Sequence, residues 1–359
     1  MLQAHRENIG TLRHENAVTF RNRAVMNWLF VFASIVAFLV LFGGFVRLTR
    51  SGLSITEWNP ISGSVPPIGE QAWREEFAKY QGTPEYKQIN FNMTLEEYKY
   101  IFYIEWIHRF IARLAGLMYA IPVFYFLFTK KIPLRDFGIY FVMGLLFIAQ
   151  AFAGWIMVAS GLVDRPSVSH FNLTIHLLLA LSLLGLSLWT AFGHKYGFPD
   201  KSKNTKWSWP SQLALISFIL LILQISYGGM TAGLKAGHVS DTWPLMFGKL
   251  LPPNLFSSFI NIFETPQTIV FIHRWFAFAV FIGVAALYFA ARKQNYSVEI
   301  RNGLNWLLGL VAFQILLGIL TVVLHVQIAI ALAHQAGALS LFALLIYFIH
   351  RLRSLDSTQ

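Results

Sequence analysis

Residues 25–46 have the sequence VMNWLFVFASIVAFLVLFGGFV, an apolar run without a single charged side chain. A helix that crosses the hydrocarbon core of a bilayer needs about 20 consecutive, mostly apolar residues. Eight runs of this kind occur, at 25–46, 98–128, 137–159, 171–193, 210–231, 267–290, 303–324 and 330–349. The sequence therefore predicts an all-α polytopic membrane protein with eight transmembrane helices.

The composition agrees with a membrane location. Of 359 residues, 56% are hydrophobic and 13% are charged, whereas soluble proteins carry about 25% charged residues. This composition excludes a disordered chain and an ordinary soluble enzyme. The sequence has no cysteine, which excludes disulfides, thiolate metal sites, iron–sulfur clusters and a cysteine nucleophile. The 11 histidines are then the obvious metal ligands.

The distribution of charge predicts the orientation in the membrane. Basic residues cluster before the first run, after the second, fourth and sixth runs, and in the tail, whereas the loop 48–97 has seven Glu against four Lys and Arg. The net charge of +11 is therefore interpreted as setting topology rather than as binding nucleic acid. We expect both termini to be cytoplasmic. Glu7 and Glu15 disfavour a mitochondrial presequence, so a bacterial inner (plasma) membrane is the expected location and the mitochondrial inner membrane the alternative.

The chain is interpreted as an internal repeat of four helices. Ile107-His108-Arg109 recurs 165 residues later as Ile272-His273-Arg274, and Gly43-Gly44 recurs 185 residues later as Gly228-Gly229. Because each half has an even number of helices, both halves have the same orientation. Two pseudo-symmetric four-helix bundles are expected. The predicted boundaries are a cytoplasmic segment 1–24, an N-terminal bundle 25–193, a cytoplasmic linker 194–209, a C-terminal bundle 210–349 and a cytoplasmic tail 350–359.

Four histidines lie at similar predicted depth, one on each even-numbered helix. An ionisable residue inside the membrane is costly, and such a residue is by default a candidate for function. Haem iron takes one axial ligand on each face, which two imidazoles from facing helices supply, whereas zinc needs a third or fourth ligand. We therefore predict haem iron as the metal, bound by His108 and His176 in the first half and by His273 and His334 in the second.

One carboxylate distinguishes the two halves. Glu105 lies three residues before His108 on the same helix face, and the equivalent residue of the second half is Val270. A site that carries out proton-coupled chemistry needs an acid, whereas a site that only holds a cofactor does not. The sequence thus places catalysis in the first half, with Glu105 as the catalytic residue. The alternative is that Glu105 only pairs with Arg109, four residues later.

Three arginines near these histidines are candidate partners for haem propionates or for carboxylates on other helices. Arg109 and Arg274 each follow a histidine directly, and Arg113 has the equivalent Phe278 in the second half. The outer loop 48–97 contains helical spacing at 66–81 and 93–100. This loop is expected either to cap the first site or to bind a partner, and the sequence does not decide between these two roles.

A longer set of motifs resembles the haem A synthase family, in the branch shared by proteobacteria and mitochondria. The set begins with the run Gly44-Phe45-Val46-Arg47-Leu48-Thr49-Arg50-Ser51-Gly52-Leu53-Ser54 and continues through Trp58, Pro60, Pro66-Pro67, Tyr80-Gln81 and Met93-Thr94 to Glu105-x-x-His108-Arg109. The resemblance covers almost the whole chain. Many members of that family carry a cysteine pair in the first outer loop, and this chain has none, so a thiol relay is excluded.

The resemblance implies a reaction and a division of roles. It implies that the C8 methyl group of haem O is oxidised to a formyl group by successive hydroxylations, giving haem A for terminal oxidases. It also implies that His273 and His334 ligate a haem b cofactor, that His108 and His176 hold the substrate haem O, and that Glu105 is essential. Candidate partners are the lipid bilayer, haem O synthase, an electron-transfer protein and a second copy of the chain.

Two other functions remain open at this point. A di-haem b-type electron-transfer protein without a substrate of its own would explain four histidines, but it would not explain the difference between Glu105 and Val270. A haem transporter or chaperone would need a path between the halves and would tolerate the loss of Glu105.

Overall fold

The computed structural model describes residues 21–198 and 206–356. Within these residues, eight helices are long and apolar enough to cross a membrane, which confirms the predicted fold class. We label them α1 to α8. Their bounds are Arg23–Leu48, Leu95–Phe128, Phe137–Ala159, His170–Tyr196, Trp209–Gly233, Pro266–Arg292, Val298–Val323 and Ile328–Asp356.

Several helices extend beyond the predicted apolar runs. Capping residues and side-chain contacts at the helix ends stabilise the additional turns. Helix α2 begins three residues early at a capping box, in which Thr94 and Glu97 each accept from the other's backbone N–H. Helix α8 continues to Asp356 instead of ending at residue 349. In this extension the guanidinium groups of Arg351 and Arg353 lie 4.2 and 4.5 Å from the ring centres of Tyr196 and Trp207. Cation–π contacts of this kind stabilise the added turns.

Parts of three predicted segments lie outside the described residues. These parts are 1–20 of the N-terminal segment, 199–205 of the linker and 357–359 of the tail.

The first outer loop has helical structure of its own. A helix spans Glu70–Gln81, which is shorter than the predicted stretch 66–81 by four residues at its start, and a short helix that the sequence analysis did not identify spans Pro84–Gln88. The loop packs on the outer end of α2 through a buried aromatic cluster that includes Trp73, Tyr80 and Tyr98. The rings of Tyr80 and Tyr98 are stacked with their centres 5.1 Å apart. The loop is therefore a folded cover on the end of the first half at which α2 begins.

The helices of each half pack in the same circular order. Helix α1 contacts α2 and α4, and α3 contacts the same two helices; likewise α5 contacts α6 and α8, and α7 contacts these two. The halves meet where α4 contacts α5 and α8, and where α1 contacts α8. We infer from this repeated order that the chain forms two pseudo-symmetric bundles. Their apolar side chains join in one continuous buried cluster.

Candidate functional site

Each of the four histidines faces a glycine on the preceding helix. A Cβ atom added to any of these glycines would lie within 3.3 Å of an imidazole atom, so a larger residue would require the ring to move. Glycine inside a helix is unfavourable by about 1 kcal/mol relative to alanine, and here it permits close approach of ring and backbone. The four pairs are Gly43 and His108, Gly154 and His176, Gly228 and His273, and Gly318 and His334.

Backbone carbonyl groups orient two of the rings. Nε2 of His108 lies 3.3 Å from the carbonyl oxygen of Leu39, and Nδ1 of His273 lies 3.2 Å from that of Gln224. Leu39 and Gln224 occupy equivalent repeat positions, 185 residues apart. A histidine that binds a metal usually donates its second ring N–H to a carbonyl or carboxylate group. Both rings therefore have a fixed orientation and one nitrogen free for a ligand.

The other two rings lie beside the backbone of a glutamine on the preceding helix. The backbone of Gln150 interacts with His176 and that of Gln314 with His334, although Nδ1 of each ring lacks a hydrogen bond of good geometry among the described residues. Gln150 lies beside His176, with its Nε2 atom 3.3 Å from the imidazole Nε2. Gln314, the repeat equivalent of Gln150, instead donates to the backbone oxygen of His334 at 2.7 Å. The rings on α4 and α8 thus each pack beside a glutamine of the preceding helix.

The second pair of histidines fits haem iron. The ring centres of His273 and His334 are 6.3 Å apart and the ring planes are at 88°. An iron bound about 2 Å from each of two facing imidazole nitrogens would separate the ring centres by about 6 Å. No group of three or more His, Asp or Glu residues that could hold a metal ion occurs within 21–198 and 206–356. Two ligands suit a porphyrin iron, which brings its own four nitrogens, better than they suit zinc.

Glu105 is buried, with 3% of its surface exposed, and donors surround its carboxylate. Oε2 accepts from the backbone N–H of Ser54 at 2.8 Å, the Ser54 hydroxyl at 2.7 Å and the N–H of Ile55 at 3.0 Å. Oε1 accepts from Nε and Nη2 of Arg109 at 3.0 and 2.6 Å. An ionised carboxylate only accepts hydrogen bonds, so this set of donors suits the charged form. The pairing of Glu105 with Arg109 is present.

Arg109 and Arg274 hold the outer loops through the same atoms. Nη2 and Nη1 of Arg109 donate to the carbonyl oxygens of Ile55 and Glu57. In the second half, Nη2 and Nη1 of Arg274 donate to those of Ser240 and Thr242, which are the repeat equivalents of residues 55 and 57. The difference lies at Nε. That atom of Arg109 donates to Glu105, whereas that of Arg274 is buried without a partner among the described residues.

Arg113 gives the first outer loop a second attachment. Its Nε and Nη2 atoms donate to the carbonyl oxygens of Pro60 and Asn59, both at 2.9 Å. Its repeat equivalent Phe278 instead stacks on Trp243 in the second half, with ring centres 6.3 Å apart. The three arginines predicted as propionate or charge partners thus all bind backbone carbonyl oxygens of outer loops.

Sequence reasoning did not identify two contributors to this arrangement. Ser54 donates two of the hydrogen bonds to Glu105. Its position at the end of the family motif that runs from Gly44 to Ser54 could have indicated this role. The carbonyl of Leu39 orients His108 through the backbone, where side-chain identity gives no signal. The match of His108 with His273 and of Gly43 with Gly228 was visible in the sequence as a repeat.

The comparison with known proteins agrees with this arrangement. Residues 26–346 match the family COX15-CtaA, described as cytochrome oxidase assembly protein. The chain belongs to the cytochrome oxidase assembly protein family. The matched region contains all four histidines, Glu105 and the three arginines.

Several relatives match nearly the full length of the chain. The chain is 41% identical over 339 residues to the "Heme A synthase" of Wolbachia pipientis wMel, covering 92% of this chain and 93% of the relative. It is 40% identical over 341 residues to the "Heme A synthase" of Flavobacterium psychrophilum, covering 92% and 98%. It is also 40% identical over 329 residues to that of Maricaulis maris, covering 90% and 94%.

Proposed function

We propose that this protein is a haem A synthase, which oxidises the C8 methyl group of haem O to a formyl group by successive hydroxylations. The family and the names of its relatives support this activity. The structural observation that carries it is the pair of repeated histidine–glycine arrangements, of which one alone has a buried carboxylate beside it. A protein with two equivalent haem sites would have no need for this difference.

The second half is proposed to hold haem b, with His273 and His334 as axial ligands. This assignment is supported by the 6.3 Å separation of the two rings and by the carbonyl that orients His273. When bound, haem b supplies an electron acceptor inside the protein. Val270 is 2% exposed and packs with Ala236 and Met246, so this half offers an apolar surface where the first half has Glu105.

The first half is proposed to hold haem O through His108 and His176. Because Gly43 and Gly154 let the two rings lie against the neighbouring helices, the rings are held in place before the substrate binds. Haem O is an apolar, farnesylated porphyrin, so a site between membrane helices suits it. Conversion of a methyl group to a formyl group removes four electrons and adds one oxygen atom, so the enzyme needs an external electron acceptor or dioxygen.

Glu105 is proposed to act through its fixed negative charge. All five of its hydrogen bonds come from donors on α2 and the first outer loop, so protonation would disturb this set. A preorganised carboxylate stabilises positive charge that develops at a reacting centre. The same contacts hold the loop over the first half, where the loop excludes water.

The protein is a multi-pass membrane protein, and we propose the bacterial plasma membrane as its location, with both termini cytoplasmic. Bacterial relatives support the location, and the positive-inside rule supports the orientation. Haem O synthase is proposed as a partner because another enzyme must supply the substrate. An electron-transfer protein is proposed because another component must accept the released electrons.

Co-expression with a haem O producer tests the proposal. Extracted haem should contain haem A only when this protein is present, and Glu105→Gln should leave haem O in its place. An electron-transfer protein or a haem carrier would leave haem O unchanged in both cases. Unmodified haem O in cells that contain folded, haem b-loaded wild-type protein would reject the synthase assignment.

A further inference from the structure

We infer that Arg47 forms a carboxylate-binding site at the junction of the two halves, where it takes a propionate group of the porphyrin held by His108 and His176. This inference rests on the proposed function, since it names which part of the substrate the site recognises. The three arginines nearest the histidines in sequence each donate two hydrogen bonds to loop carbonyls, and Nη1 of Arg113 and Nε of Arg274 are buried without a partner among the described residues; Arg47 has no such attachment to a loop.

Arg47 is a cation at membrane depth with few partners. It lies in the last turn of α1 and is half-buried. Among the described residues, its side chain donates one hydrogen bond, from Nη1 to the carbonyl oxygen of Ala232 at 3.2 Å. Across 21–198 and 206–356, no carboxylate lies within ion-pair distance of it. A guanidinium group has five N–H donors, and an arginine inside a membrane protein normally pairs with an anion or marks a ligand site.

The position of Arg47 relates it to the first pair of histidines. It follows Gly43 by four residues on the same helix face, and Gly43 lies against the ring of His108. Four residues of helix correspond to about 6 Å along the axis, so Arg47 lies one turn further outward than His108. A porphyrin whose iron is bound at His108 carries its propionates at the ring edge, within reach of a side chain as long as arginine.

The carboxylate-binding site occurs in one half because the two halves have different residues at this position. The repeat equivalent of Arg47 is Ala232, and Arg47 donates to the backbone of that same residue. The guanidinium group therefore lies where the two halves meet. Helix α1 also contacts the second half there, since Gln335, next to His334, donates to the carbonyl oxygen of Val40 at 2.7 Å. A charge at Arg47 thus stands between the two proposed haem sites.

Arginine and a propionate carboxylate form charge-assisted hydrogen bonds that an ester cannot form as strongly. The probes are haemin and haemin dimethyl ester, which share the iron and the ring but differ in the charge of the two propionates. They are titrated into purified full-length protein in detergent and followed by visible absorbance. Two double variants isolate the sites. The variant with His273→Ala and His334→Ala keeps only the first pair of histidines, and the variant with His108→Ala and His176→Ala keeps only the second pair.

In the background that keeps His108 and His176, protein with Arg47 should bind haemin at least about tenfold more tightly than the ester. Arg47→Gln should bring the ratio of the two affinities, haemin over ester, close to one. Arg47→Lys should retain most of the preference for haemin. Arg50→Gln, three residues away and exposed, is the matched control and should keep the full ratio.

An unchanged ratio in Arg47→Gln, or no preference for haemin with Arg47 present, would overturn the inference; the latter is expected if Arg47 binds a lipid phosphate instead. Preference confined to the background that keeps His273 and His334 would also overturn it. Failure of both porphyrins to bind in either background would reject the haem assignment itself. An intact preference in a protein that makes no haem A would reject the synthase proposal and leave the carboxylate site standing.

Discussion

Arg109 donates two hydrogen bonds to Oε1 of Glu105, at 2.6 and 3.0 Å, while its remaining donors hold the backbone of the first outer loop. The carboxylate and the guanidinium group are thus one unit that joins α2 to the loop above it. An i,i+4 pair of this kind on an exposed helix contributes about 0.5 kcal/mol or less. Here both groups are largely buried, so removing one leaves the other charge without its partner, which is more costly.

Replacing Glu105 with Gln should lower haem A formation by about 10²-fold or more, the scale for loss of one electrostatic group. Haem b content should stay near the wild-type value because its proposed ligands lie in the other half. The measurement is the ratio of haem A, haem O and haem b in extracted membranes. If Glu105 only stabilises the loop, haem b and protein yield should fall together with activity, and Arg109→Gln should have an equal effect.

Replacing His273 or His334 with Ala should remove most of the haem b, because each ring is proposed to supply one axial ligand. Purified wild-type protein should show the absorption spectrum of low-spin bis-imidazole haem b. His325→Ala is a suitable control, since this side chain is 73% exposed in the connection between α7 and α8. Full haem b with an unchanged spectrum in both ligand variants would show that the ligands have been assigned wrongly.

Gly318→Ala should reduce haem b content without touching a ligand, because the added Cβ would lie 3.0 Å from Cε1 of His334. The ring must then shift or tilt relative to the iron. Gly309→Ala on the same helix is the matched control, since no atom lies within 4 Å of its added Cβ. That control should retain haem b and gain slightly in helix stability. Equal haem b contents in the two variants would contradict a role for close approach.

The first outer loop should become less stable as pH rises. Burial raises the pKa of Glu85 to about 7, against an ordinary value of 4.5. The folded state then binds a proton more tightly than the unfolded state, so the free energy of unfolding falls between about pH 4.5 and 7, by roughly 3 kcal/mol in all. Limited proteolysis of the loop at pH 5.5 and pH 8 should show faster cleavage at the higher pH.

Glu85→Gln should remove this pH dependence, because glutamine does not titrate. The exposed Glu75 lies in the same loop, and Glu75→Gln should leave the dependence intact. A wild-type loop that is cleaved at the same rate at both pH values would refute the effect.

Reporter fusions test the orientation. Fusions after residues 131, 203 and 295 should report a cytoplasmic location, and fusions after residues 80 and 250 an external one, because the basic residues alternate between loops. One clear inversion would also remove the argument that the four histidines lie at the same depth.

The number and order of the helices could be predicted because membrane spans are long and apolar. The close approach of His273 to His334 was predictable because the repeat matched the helices that carry them, whereas their role as ligands stays a prediction. The ends of the helices were less predictable. Residues 298–302 belong to α7 although they precede the apolar run, because a helix in water beyond the membrane needs no apolar signal. The arginines could be identified in the sequence, but their partners could not, because every residue has a backbone carbonyl and the sequence does not show which of them accepts a hydrogen bond.

The two halves use the same arginine atoms to hold the same two carbonyls, and they differ in what the third arginine donor meets. In the first half that donor meets Glu105. In the second half, where Val270 stands at the equivalent position, it has no partner among the described residues. The second half therefore has an arginine donor in the place where the first half pairs arginine with an acid. A glutamate introduced by Val270→Glu could accept from this donor, but it would lack the hydroxyl group that Ser54 gives to Glu105, because the repeat equivalent of Ser54 is Val239.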